Sequence, residues 1–387
     1  LLVIEAPRTV IRQIAADPAV AYVSPDRPVQ AMGHVETTTG AAQVRGLLSN
    51  VVGVVTGNKL DGSGIGIAVL DSGVDGEQEL LDKNSGLTRV TYNKDFTGQG
   101  TTGDPYGHGS HVVTMANGSA DLGKGAYAGI AQGANIINLR VLDENGLGSA
   151  SNIINAVNWC ITNKFSYNIH IINLSLGALA KDSYLTDPLC LAVRRAHDAG
   201  IVVVAAAGND GKDINGNKVY GSIHSPGIDP SVITVGAANS YGTDVRSDDT
   251  VATYSSRGPT RGSWVDVNGL RHYDNMIKPD FVAPGNKIVS IRSRGSSMDL
   301  LYPSNRVPED LDYYVMSGTS MAAPQVSGIV ALMLQANPHL TPNLVKAVLQ
   351  YTAQTDDDFD PLTQGAGYLN TKGAVDLARY FVEAQEG

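Results

Sequence analysis

The strongest apolar runs in this 387-residue chain are short, and each is bounded by glycine, asparagine or serine. They include Ile65-Gly66-Ile67-Ala68-Val69-Leu70, Ile171-Ile172-Asn173-Leu174 and Ile201 to Ala207. A segment that is apolar at successive positions buries both faces, as a parallel strand does beneath crossover helices. Helical spacing does occur between the runs, for instance at Ile153, Ile154, Val157 and Trp159. The pattern predicts an α/β fold: a mostly parallel sheet with helices on both faces. At 42% hydrophobic content the chain can bury one large core, or a core plus a small appendage. No run reaches the roughly 20 residues of a membrane span. Sparse charge, 17%, and a net charge of -10 argue against nucleic acid or anionic membranes as partners. The 43 glycines are scattered, which suits a loop-rich α/β enzyme better than a linker protein.

Three strings carry chemistry. Ser317-Gly318-Thr319-Ser320-Met321, followed by Ala322-Ala323-Pro324 and the apolar stretch Val326 to Leu334, sets Ser320 in the first turn of a buried helix. Pro324 falls early enough for its missing N-H to do little harm. The unpaired N-H groups of such a turn suit a developing oxyanion beside a nucleophilic hydroxyl; taken alone, the string also fits a merely capped helix. The run Ile65–Leu70 ends on Asp71, an acid at a strand's carboxyl end, where open α/β sheets place function. In Gly107-His108-Gly109-Ser110-His111 a glycine turn delivers His108 to the start of a helix. The order Asp71, His108, Ser320 matches one of the chain orders in which the serine triad occurs.

With those three strings in that order and spacing, the chain resembles a subtilisin-like serine peptidase, a subtilase, from about Thr38 to the end. The resemblance implies a doubly wound, subtilisin-like α/β catalytic domain. It also implies Ser320 as nucleophile, His108 as general base and then acid, and Asp71 as the partner fixing the imidazole tautomer. Chemistry asks for the same roles, because a serine hydroxyl is a poor nucleophile until a positioned base takes its proton. The matching asparagine for the oxyanion is Asn209, the amide that ends the strand-like run Ile201–Asn209; its other reading is a turn residue before Asp210-Gly211. Substrate is expected to pair as an extended strand with Ser175-Leu176-Gly177. Ala206, Ala207 and Gly208 would complete the primary pocket, with Gly148 and Ala150 on the opposite rim. Small walls with no charge at the expected positions predict a preference for large apolar side chains before the cut bond. Ala150, where family members often carry an aromatic lid, predicts an open outer pocket.

Residues 1–32 differ in character: a strand-like start, a helix over Pro7–Ala16 and a strand over Ala19–Val23. With Tyr22-Val23-Ser24-Pro25-Asp26 they resemble the C-terminal half of a subtilase propeptide, a small α+β remnant acting as an intramolecular inhibitor. An ordinary N-terminal hairpin is the alternative. The resemblance puts a self-processing cut between Met32 and Gly33, leaving 33–387 as the catalytic domain. It also implies an upstream export signal and hence a secreted, extracellular zymogen, expected to be a monomer acting on proteins and peptides.

Cys160 and Cys190 set no disulfide framework, although their helices could bring them within bonding reach. Structural calcium is implied by the resemblance. Oxygen ligands abound in Asp210–Asn217 and Asp356–Asp360, but the latter does not match an EF-hand loop. Gln78-Glu79-Leu80-Leu81 replaces the family's His-Pro-Asp-Leu string, so the strongest family site is in doubt. His111 reads as a packed helix histidine. Gly62, Gly64 and Gly66 precede a strand, so they are not a dinucleotide fingerprint. Two other classes compete with a secreted endopeptidase: a binding protein on a subtilase scaffold, and a sedolisin-type acid peptidase, which uses glutamate where this chain has His108.

Overall fold

The computed structural model describes residues 6–20, 34–45, 48–51, 54–75, 77–82, 85–123 and 125–386. The chain divides into two compact units, Leu1–Met32 and Gly33–Gly387. In the first, the helix Arg8–Ala15 forms as the spacing of Val10, Ile11 and Ile14 predicts. Residues 1–5 and 21–23 of the expected flanking strands lie outside the described residues.

The second unit is built on a sheet of eight strands among the described residues. In chain order they are β1 (Gly66–Asp71), β2 (Val90–Asp95), β3 (Asn135–Arg140), β4 (Ile169–Leu174), β5 (Val202–Ala206), β6 (Ile233–Asn239), β7 (Thr250–Val251) and β8 (Phe281–Pro284). Their spatial order is β7-β6-β5-β4-β1-β3-β2, with β8 also paired to β6. All pairs are parallel except β6 with β7. The chain leaves β1 toward β3 and β2 on one side and continues from β4 on the other. The carboxyl ends of β1 and β4 therefore flank a switch point, where such sheets bind ligands.

Alternation along β1 shows why its residues are apolar at every step. Ile67 and Val69 face one core together with helices α1 (Gly109–Asn117) and α4 (Thr319–Ala336). Ala68 and Leu70 face a second core with α2 (Ala150–Thr162) and α3 (Pro188–Asp198). Ile67 and Leu70 are fully buried, each worth about 1.5–3 kcal/mol relative to exposure. The central helix α4 is buried on nearly all sides, which its composition predicts, since Met321 to Leu334 has only Gln325 and Ser327 as polar residues. Both bond inward: Gln325 Nε2 to the Pro284 carbonyl at 2.6 Å, and Ser327 Oγ to Asn173 Oδ1 at 2.8 Å. Buried polar groups placed in this way add register to a helix that hydrophobicity alone would let rotate.

Candidate active site

Asp71 closes β1 and is almost fully buried. Its Oδ1 accepts from the Ser72 N-H at 2.8 Å and meets His108 Nδ1 at 2.8 Å. A carboxylate can only accept, so His108 Nδ1 carries the proton and Nε2 is left bare as a base. Burial disfavours the imidazolium, but the charge and hydrogen bond of Asp71, with the charge of Asp104, outweigh it and raise the His108 pKa above its ordinary value.

His108 sits at the N-cap of α1, and Gly107 before it has φ +99°, a left-handed turn where a Cβ would also strike Ser296 Oγ. A residue not singled out from sequence shapes this turn. Asp104, buried, accepts from the Gly107 N-H, Ser72 Oγ and the Ser110 N-H, each at 2.7 Å. Ser72 Oγ in turn accepts from the Gly109 N-H at 2.9 Å. Burial holds the Asp104 pKa above the usual carboxylate range despite those bonds.

Ser320 lies in the first turn of α4, as predicted. Its hydroxyl donates to the Ser175 carbonyl at 2.8 Å, and no hydrogen bond joins it to His108. Both side chains border the same cleft, and catalytic hydrogen bonds often tighten only with substrate bound. The Ser320 carbonyl accepts from Ser175 Oγ at 2.8 Å. In an unbroken helix its donor would be the N-H four residues on, which is Pro324 and has none. The proline thus frees a carbonyl that binds the end of β4, and Ser175 Oγ is itself held by Asn173 Nδ2 at 3.0 Å.

Asn209 follows β5, beyond Gly208 at φ +108°. Its Oδ1 accepts from the Thr319 N-H at 2.9 Å and Thr319 Oγ1 at 3.2 Å. Because an N-H must meet the oxygen, the amide orientation is defined and Nδ2 remains as a donor. The cleft encloses about 410 Å³ and brings together His108, Gly148, Ala150, Ser175, Leu176, Gly177, Ala206, Gly208, Asn209 and Ser320.

Two expectations about the pocket change. Ala207 does not line the cleft; it is buried against Cys190, Ile223 and Ile228, since neighbouring residues of an extended segment point to opposite sides. The walls are also not free of charge, because Asp210 and His224 both border the cleft. His224 arrives through the antiparallel pairing of Ala178–Leu179 with His224–Ser225, a contact that local sequence patterns do not reveal. Met32 and Gly33 lie outside the described residues.

The remaining candidates fall away from the chemistry. His111 is fully buried, its Nε2 donating toward the Ile288 and Tyr314 carbonyls at 3.2 and 3.1 Å, and burial pushes its pKa down to about 3. Cys160 and Cys190 are buried free thiols, each with its pKa raised chiefly by desolvation. Among the described residues no group of three or more acids, histidines or cysteines is placed to hold a metal. Glu79 is instead occupied by the Leu122 N-H and the Tyr313 hydroxyl, both at 2.8 Å. Asp213 accepts from the Asn215 and Asn217 N-H groups, and Asp360 caps a short helix.

A parallel α/β sheet whose carboxyl edge gathers an acid-imidazole pair, a helix-borne hydroxyl and an amide in one cleft describes the class of serine hydrolases. Residues 62–373 match Peptidase S8, and the chain belongs to the subtilase family; it is a serine endopeptidase. It is 39% identical over 362 residues to serine protease AprX of Bacillus subtilis (strain 168), covering 90% of this chain and 73% of that protein. The extracellular serine proteinase of Thermus sp. (strain Rt41A) is 31% identical over 352 residues, covering 90% and 70% of the two chains. Among solved structures, sphericase is similar at a TM-score of 0.59 and 28% identity, over 80% of this chain and 92% of that one.

Proposed function

We propose that the chain is a secreted, self-processing endopeptidase in which Ser320 attacks the peptide carbonyl, His108 takes and returns the proton, and Asp71 holds the imidazole. The observation that carries this reading is the 2.8 Å His108–Asp71 hydrogen bond in the cleft bordered by Ser320 and Asn209. Attack requires the Ser320 hydroxyl to leave the Ser175 carbonyl and turn to His108 Nε2, passing its proton there as the acyl bond forms. The carbonyl oxygen then becomes an oxyanion, for which Asn209 Nδ2 and the Ser320 N-H are the donors. His108 returns the proton to the departing amine, and water repeats the sequence on the acyl-enzyme. Substrate lies extended along Ser175–Gly177, with broad selectivity favouring large apolar residues before the cut bond. Leu142, Leu176 and Ile153 on the cleft lining support that preference.

The unit boundary between Met32 and Gly33, together with the Tyr22–Asp26 string, supports residues 1–32 as a propeptide remnant released by cleavage there. Similarity to the extracellular serine proteinase of Thermus supports an extracellular setting. An organophosphate serine probe with mass mapping should label Ser320, and Ser320→Ala should abolish both labelling and hydrolysis. N-terminal sequencing should find Gly33 as a new terminus in the wild type and not in Ser320→Ala. Labelling elsewhere, or maximal activity at strongly acid pH, would overturn the reading.

A further inference from the structure

The turn that carries His108 is bonded to a strap from a distant part of the chain. The antiparallel strands Ile288–Ile291 and Tyr313–Met316 are joined by residues 292–312. The first part of that connection fastens onto the turn. The Ser297 N-H donates to the Pro105 carbonyl at 2.9 Å, and the Met298 N-H to the Tyr106 carbonyl at 3.0 Å. Ser296 Oγ takes the space beside Gly107 where a Cβ would stand. Ser293, buried, has its Oγ 2.9 Å from the Asp104 carbonyl and 2.8 Å from Asp75 Oδ2, sharing one proton between them. One hydroxyl thus joins the segment that leaves Asp71 to the turn that arrives at His108.

Apolar burial does little to hold the far side of the strap, where Leu300 and Leu301 are 67% and 69% exposed. A buried carboxylate holds it instead. Asp299 Oδ1 accepts from Arg292 Nε at 2.6 Å and Arg306 Nε at 2.8 Å, and Oδ2 from Arg292 Nη2 at 2.8 Å and the Gly295 N-H at 2.9 Å. All four acceptor sites of the carboxylate are filled, three of them by charge-assisted bonds. The Gly295 bond ties this clamp to the backbone two residues after Ser293.

We propose that Ser293, set in place by the Asp299 clamp, is a positioning residue that keeps His108 on Asp71. This rests on the reading of His108 and Asp71 as base and partner given above. An imidazole free to drift would lose both its alignment with Ser320 and the contact that raises its basicity. The charges that raise the His108 pKa are Asp71 and Asp104, and Tyr106 and His111 also stand beside the ring. Replacing the neutral Ser293 leaves all four in place, so a change in His108 titration reports position and not lost charge.

The test follows Ser293→Ala with a tetrapeptide p-nitroanilide carrying phenylalanine before the anilide, and by NMR titration of His108 in a Ser320→Ala background. At assay temperatures well below unfolding, kcat should fall about three- to tenfold while KM holds within a factor of about two. The His108 pKa should move down toward about 6.5 in both the kcat/KM profile and the NMR titration. Asp299→Asn, whose NH₂ must face two N-H donors at whichever oxygen it replaces, should act in the same direction. It is measured in 1 M salt to screen the change of charge, and the double variant should lose little more than the worse single one. Arg294→Ala, which removes an exposed ion pair with Asp312 on the same strap, should change neither quantity. If either Ser293→Ala or Asp299→Asn does not fold, the other decides. A folded variant in which His108 titrates as before overturns the proposal whether or not kcat falls, and so does a shifted titration with kcat unchanged, or an equal response in Arg294→Ala. Failure of the underlying reading is separately visible, because hydrolysis would then survive Ser320→Ala while the NMR titration, which needs no turnover, would still report on His108.

Discussion

Replacing Asp104 by asparagine probes how the fold places and tunes His108. The carboxylate accepts three bonds of 2.7 Å, from Ser72 Oγ, the Gly107 N-H and the Ser110 N-H. Asparagine is nearly isosteric and can serve Ser72 and Gly107 with its oxygen, but its NH₂ then faces the Ser110 N-H. One buried donor loses its partner, at about 1–3 kcal/mol, and two charge-assisted bonds become neutral. Relief of a buried charge offsets part of this, so a net loss of about 2 kcal/mol is expected. It should be measured by urea unfolding in a Ser320→Ala background to prevent self-digestion. The pH dependence has a definite sign. Burial raises the native pKa of Asp104, so its ionised form costs native stability, and the cost grows as pH rises from the unfolded pKa to the raised native one. The asparagine variant lacks that downward slope. In the active background, removal of the negative charge lowers the His108 pKa, to which Asp104 contributes, so the acid limb of kcat/KM moves to lower pH. Loosening the turn that carries His108 should cost kcat roughly ten- to a hundredfold. A folded variant with an unmoved acid limb and unchanged kcat would refute any action of Asp104 on His108.

Activity of the wild type should rise with pH as His108 deprotonates, with a midpoint above its ordinary value of about 6.5 because Asp71 raises it; a midpoint below that value in a kcat/KM profile contradicts the pairing. The same raised pKa contributes native stability at low pH, lost as pH climbs through the His108 transition. Asn209→Leu should reduce kcat far more than it raises KM, which steady-state kinetics separates. The size known for the oxyanion asparagine of a subtilisin is about 10² to 10³ in kcat. Cys160 and Cys190, buried and with pKa raised by desolvation, should react with a thiol reagent only after unfolding, and fast labelling of the native protein would show them to be accessible.

The parallel strands were legible because burial on both faces leaves an unbroken apolar run, as in Ile67–Leu70. The three reactive residues were legible because each needs a special backbone beside it: a strand end for Asp71, the positive-φ Gly107 before His108, and a helix start with an early proline for Ser320. Such requirements write themselves locally. Asp104 was missed because its partners are backbone N-H groups and a serine, which leave no mark in spacing. Ala207 was misassigned because Ala206, Ala207 and Gly208 were all counted as pocket wall, whereas adjacent residues of an extended chain alternate sides. His224 was missed because its place depends on pairing with Ala178–Leu179, 45 residues earlier in the register of Leu179 with His224.

Pro324 connects the helix to the cleft more closely than its tolerated position suggests. By withholding the N-H that the Ser320 carbonyl would receive, it leaves that carbonyl to Ser175 Oγ, and so fastens the serine's backbone to the end of β4. The Ser320 hydroxyl points back to the Ser175 carbonyl, so two residues 145 positions apart are bonded reciprocally. Breaking one of these bonds to reach the reactive rotamer costs about 0.5–1.5 kcal/mol, while the backbone tie keeps the Cα in place. Ser175→Ala removes the tie and leaves the Ser320 carbonyl without its donor, so unfolding experiments should show a loss of about 1–2 kcal/mol. Pro324→Ala restores an N-H four residues on, which can share that carbonyl's second lone pair beside Ser175 Oγ and becomes its sole donor once Ser175 Oγ has gone. In the Ser175→Ala background it should recover part of the lost stability; in the wild type, where Ser175 Oγ already satisfies the carbonyl, the new N-H should bring a smaller gain. The double-mutant cycle therefore has a favourable coupling term of about 0.5 kcal/mol or more. Additive behaviour in that cycle would mean that proline and serine act independently, and that the missing N-H is not what commits the Ser320 carbonyl to Ser175.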